Sequence, residues 1–83
     1  MRSSWREHRG KPYFHADYAH YGEDLAALTV EVNAVNELLC QQVGKSVALL
    51  VDVRGTVGTP EAIGFIKRSA ALTEPYVARM AVL

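Results

Sequence analysis

The sequence predicts an α/β fold of β-α-β-α-β order, a small and mostly parallel sheet with helices packed on it. Three observations lead there. Leu25, Leu28, Val32, Val35, Leu39 and Val43 step by three and four, the apolar stripe of an amphipathic helix. Val47-Ala48-Leu49-Leu50-Val51 is an unbroken aliphatic run, as in a strand covered on both faces. Thr59-Pro60-Glu61 then supplies a helix N-cap, a proline at the first helical position and an acidic first turn.

Taken in order, residues 1–11 are polar and basic and read as a flexible arm before a single domain over 12–83. Pro12 to Tyr18 reads as the first strand, with Phe14, Ala16 and Tyr18 on one face and Tyr13, His15 and Asp17 on the other. The first helix is expected from Gly22 to Val43, with Glu23 and Asp24 in its first turn and Gly44 as its left-handed stop. A strand over Ser46 to Val53 follows, then the tight loop Arg54 to Gly58. The second helix should run to about Leu72, burying Ala62, Ile63, Ile66 and Ala70, before Glu74-Pro75 breaks it. Tyr76 to Leu83 reads as the last strand. Its ending at Ala81-Val82-Leu83, with no polar cap, looks like a chain cut before its final elements.

Composition narrows the function classes. Eighty-three residues suit one domain with one small core. Nine basic and nine acidic residues cancel, so no net field draws the chain to nucleic acid or anionic lipid. A hydrophobic share of 49% with 22% charged residues indicates a packed globule, not disorder. The lone Cys40 excludes an internal disulfide, and its position in the helix suggests a buried, inert thiol. No apolar run reaches 18 residues, and the first nine residues lack a signal-peptide core, so a cytoplasmic protein is expected.

The strings Lys11-Pro12-Tyr13-Phe14-His15-Ala16-Asp17-Tyr18, Ser46 to Thr56 ("SVALLVDVRGT") and Lys67 to Leu83 ending "PYVARMAVL" resemble the small SpoIIAA-like proteins of the STAS-domain fold. The resemblance covers roughly residues 10–83 and implies a non-enzymatic regulatory or small-ligand-binding module. Members continue past this point with a further helix-strand-helix portion. Antagonist members carry an Asp-Ser-Ser-Gly type phosphorylation motif after the central strand. Gly58-Thr59-Pro60-Glu61-Ala62 stands there instead, without serine, so that switch does not transfer. Phosphorylation at Thr56 or Thr59 then depends on a partner kinase.

Ligands of open parallel sheets gather beyond the carboxyl ends of the strands. That rim should hold Asp17, Tyr18, His20 and Tyr21 after the first strand, and Asp52, Arg54, Thr56 and Thr59 after the second. The plainer alternative gives each a local duty: Asp52 bonding loop amides, Thr59 capping a helix, Arg54 pairing with a carboxylate. The loop Arg54 to Thr59 leads into a helix N-terminus but is no Walker motif, since no lysine follows its second glycine. His15, Asp17 and His20 lack a convincing further ligand, so no metal is expected, and no cofactor is implied. No G-x-S-x-G elbow is present, and no enzymatic activity is expected. Surplus apolar residues, Ala27, Val30, Ala34 and Leu38 on the first helix and Phe65 and Leu72 on the second, suggest either helix-on-helix packing or an interface. A homodimer, or contact with another protein, is the expected partnership, with an open edge strand at Val77 to Leu83 as a second route. The other reading is a carrier or sensor of a small apolar or anionic ligand at the strand-end rim.

Overall fold

The computed structural model describes residues Met1–Leu83. Its elements are strands β1 (Ser4–His8) and β2 (Lys11–Asp17), helix α1 (Leu25–Leu39), strand β3 (Val47–Asp52), helix α2 (Pro60–Thr73), a 3-10 turn over Glu74–Tyr76 and strand β4 (Val77–Val82). The α/β class holds, with a mixed four-stranded sheet in the order β1-β2-β3-β4. β1 is antiparallel to β2, while the β2–β3 and β3–β4 pairs are parallel.

The segment expected to be a loose arm is therefore a strand. Arg9 (φ 53°) and Gly10 (φ 77°) both take left-handed backbone angles, the requirement of a two-residue hairpin turn whose twist matches its strands. Trp5 then packs edge-on against Phe14, ring centroids 5.2 Å apart. Basic residues on the other side of the strand disguised this alternation.

Helix α1 is shorter than Gly22 to Val43. Asp24 is its N-cap, its carboxylate accepting the Ala27 N–H at 3.0 Å, so the first turn contains no acid. The helix closes at Cys40, which is exposed, not buried in mid-helix. Val43 is 78% exposed, and the left-handed residue beyond the helix is Lys45 (φ 55°), not Gly44. The buried face is Leu28, Glu31, Val32, Val35 and Leu39. For α2 the expected start holds: Thr59 caps it, its hydroxyl accepting the Ala62 N–H at 3.2 Å, with Pro60 next.

Both crossovers join neighbouring strands of one sheet, so right-handed connections put α1 and α2 on the same face. A 2.6 Å hydrogen bond from the Ser69 hydroxyl to the Asn36 side-chain carbonyl ties the helices together. The core is the layer between them and the sheet: Phe14, Ala16, Tyr18, Leu28, Val32, Val35, Leu39, Val47, Leu49, Val51 and Ala62. Burial of each larger aliphatic side chain stabilises by roughly 1.5–3 kcal/mol.

One-sided helix placement corrects a second expectation. β3 is not covered on both faces; Val47, Leu49 and Val51 are buried, while Ala48 and Leu50 are only half-covered on the far face. Of the four α2 residues expected in the core, only Ala62 is fully buried; Ile63 is 45% exposed and Ala70 is exposed. α2 leans toward α1 and leaves β4 partly bare. No helix is long and apolar enough to cross a membrane.

Candidate functional site

The carboxyl ends of β2 and β3 finish level, with Asp17 beside Asp52. The two loops beyond them run side by side and continue the ladder. The Tyr18 N–H donates to the Asp52 carbonyl (2.9 Å), His20 N–H to Arg54 (2.8 Å), Gly22 N–H to Gly55 (3.1 Å) and Val57 N–H to Gly22 (2.8 Å). The Thr56 hydroxyl donates to the Tyr18 carbonyl at 2.6 Å and accepts the Tyr21 N–H at 3.1 Å. Tyr18, His20, Tyr21 and Thr56 are thus brought together, as the strand-end argument required. Their backbones, and the Thr56 hydroxyl, are occupied in holding one loop to the other.

Asp52 and Arg54 form the polar centre of this rim. The buried Asp52 carboxylate accepts from the Arg54 N–H (3.1 Å), Nε (3.0 Å) and Nη2 (2.9 Å). Those charge-assisted bonds hold the Asp52 carboxyl well below the usual carboxylate range. Asp52, Arg54 and Thr59 therefore have the local duties the plainer reading gave them. Gly55 lies at φ +77°, and a Cβ there would stand 2.5 Å from His20 Nδ1. Gly55→Ala is expected to destabilise the fold by about 1–3 kcal/mol and to displace the His20 side chain. A urea melt and the His20 ring resonances would check it; an unchanged midpoint would contradict the close approach.

Sequence reading missed a second polar cluster. The Glu31 carboxylate, buried in α1, accepts the Ser3 N–H at 2.7 Å and the Arg2 N–H at 3.2 Å. Ser3 Oγ accepts the Asp17 N–H at 2.8 Å. The Arg2 guanidinium lies 4.0 Å over the Tyr21 ring, hydrogen-bonds the Ala19 carbonyl and pairs with Asp17 at 3.5 Å. Burial pushes the Tyr18 hydroxyl pKa up, with the Glu31 charge adding to it. A glutamate inside an apolar stripe was the available signal, but its partners lie 28 and 29 residues away.

An apolar groove of about 830 Å³ lies between α2 and β4. Ile63, Ile66, Ala70, Val77, Met80 and Val82 line it, and Tyr18 and Thr56 reach it from the rim. Asp52, Arg54, His20, Tyr21 and Thr59 do not. Of the surplus apolar residues on the helices, Leu38 and Phe65 pack against the core. Ala27 and Ala34 are half-buried, whereas Val30 is 71% and Leu72 58% exposed. Helix-on-helix packing thus accounts for part of that patch. No group of three or more His, Cys, Asp or Glu side chains is placed to hold a metal ion. No family model, no curated protein and no solved structure matches this chain.

Proposed function

We propose that the chain is a non-catalytic, STAS-like regulatory module that acts by protein–protein contact and self-associates along β4. The STAS assignment rests on the strings in residues 11–18, 46–56 and 67–83. One observation supports the mode of contact. The outer edge of β4 pairs with no strand, and beside it Met80 (53% exposed), Val82 (60%) and Ile63 (45%) open onto the α2–β4 groove. A free edge flanked by contiguous apolar side chains is a template for strand pairing and burial. A second copy supplies both the matching edge and the matching apolar surface, which is the economy of a two-fold dimer.

Charge at Leu38 or Phe65 would strike side chains that pack on the core, so Met80 is the cleaner position to test. Native mass spectrometry at tens of micromolar should show a dimer for the wild type. Met80→Asp should be monomeric with an unchanged far-UV spectrum. A wild type that stays monomeric at high micromolar concentration would remove the self-association reading. The groove volume also falls in the range of small-molecule pockets, which favours the apolar-carrier alternative over an anion at the rim. Extra mass lost on denaturation, in a monomer, would decide for the carrier.

A further inference from the structure

The sheet face turned away from the helices has a charge pattern hidden by the neutral total. Strand registers align its side chains in rows. Arg6 stands opposite Tyr13, the ladder continues to Ala48, and Ala48 stands opposite Arg79. The row toward the hairpin holds His8 and Lys11, which face each other. The next row the other way is Ser4, His15, Leu50 and Ala81. A depression of about 400 Å³ lies across these rows, lined by His8, Lys11, Tyr13, Leu50, Arg79 and Ala81.

None of Arg6, Lys11 and Arg79 belongs to an ion pair; the chain's three pairs join Arg2 to Asp17, Lys45 to Glu74 and Arg54 to Asp52. Alternation turns Glu7, the one acid of β1, to the other face with Trp5. The acids on the open face, Asp17 and Asp52, lie about 13 Å along the strands from the Tyr13 row. Both are already paired with arginines. Two uncompensated cations, Lys11 and Arg79, therefore line a shallow, apolar-floored depression, and a third, Arg6, stands opposite Tyr13 at its border. His15 Nδ1, one row away, is buried without a hydrogen-bond partner.

We infer that this depression binds a phosphate ester carrying a flat ring, the chemistry of a nucleotide. Arg79 and Lys11, with Arg6 beside them, meet the phosphate through charge-assisted hydrogen bonds. The ring lies on the floor made by Tyr13, Leu50 and Ala81, where an aromatic side chain offers a stacking surface. This site is on the opposite face of the sheet from the α2–β4 groove and does not depend on self-association.

The test is an NMR titration of the full chain with adenosine monophosphate, with adenosine, inorganic phosphate and a short single-stranded oligonucleotide as separate arms. Saturable shifts at residues 11–15, 48–50 and 79–81 are expected, with adenosine and inorganic phosphate each weaker than the nucleotide. Arg79→Glu and Lys11→Glu should each weaken binding about tenfold or more. Arg68→Glu, the same charge change at an exposed position on α2, should alter it less than about twofold. Thermal melts of the three variants establish that each is folded. Tighter binding by the oligonucleotide, at the same residues, would support the site and assign its phosphate to a nucleic-acid strand. No saturation by any phosphate ester, equal affinity for inorganic phosphate, or indifference to Arg79→Glu would overturn the inference.

Discussion

Phe14→Ala is expected to lower stability by about 3–5 kcal/mol, a large fraction of what the domain has. Phe14 has no exposed surface and is the largest of the fully buried side chains. It lies on β2 under α1 and meets Trp5 of β1 edge-on, so its removal opens a cavity shared by the hairpin and the helix layer. A domain of this size has roughly 4–12 kcal/mol to lose. Urea unfolding followed by far-UV circular dichroism measures the loss, and Tyr13→Ala on the other face is the comparison. A Phe14→Ala midpoint close to that of the wild type would show that the core is not centred there.

Glu31→Ala is expected to cost about 2–3 kcal/mol, or about 10–20 °C in Tm. Its carboxylate is the acceptor for the Arg2 and Ser3 amides, and Ser3 in turn receives the Asp17 amide. Without the carboxylate, the buried Ser3 N–H loses its partner, and β1 should fray from β2. Amide hydrogen exchange over residues 4–8 should accelerate more than exchange in β3. Equal acceleration in both strands would point to global unfolding in place of a lost clasp.

The same carboxylate has a pH signature. Burial alone would raise the Glu31 pKa, but hydrogen bonds from Ser3 and Arg2 and the nearby amino terminus outweigh it, leaving the pKa below the ordinary glutamate value. A depressed folded-state pKa means that the carboxylate's contribution is complete above the ordinary glutamate range. It is lost as pH falls through the lower folded value. Glu31→Gln should flatten that part of the acid limb of stability against pH. An acid limb identical to the wild type's would assign it to other carboxylates.

These two positions also show what the chain discloses on reading. Phe14 was legible because period-2 alternation placed it with Ala16 and Tyr18 on one face, and those three are buried. The α2 start was legible because Thr59 and Pro60 act within one helical turn. Glu31 was not, because its partners, the amides of Arg2 and Ser3, are brought to it only by the fold. Nor was β1, whose arginines suggested a solvated arm although Trp5, half exposed, packs edge-on against Phe14. Ile63 and Ala70 have core spacing, yet their exposure follows from the sheet ending at β4. At the rim, Tyr18, Asp52, Arg54 and Thr56 were legible as neighbours. The pairing of Asp52 with Arg54, two residues apart, was legible too; the partners of Tyr18 and Thr56 were not, since two loops supply them to each other. The basic row escaped notice because a net charge carries no position.

The hairpin also sets an order of events. β1 and β2 are joined by two residues, so their ladder can close on the microsecond scale before any helix exists. The parallel ladders must wait for whole crossovers, with the larger loop entropy that entails. Because Glu31 lies in the first crossover and holds Arg2 and Ser3, just before β1, α1 docks against an end of that two-stranded template. The hairpin that widens the sheet by an edge is thus also a local template that can form ahead of both crossovers.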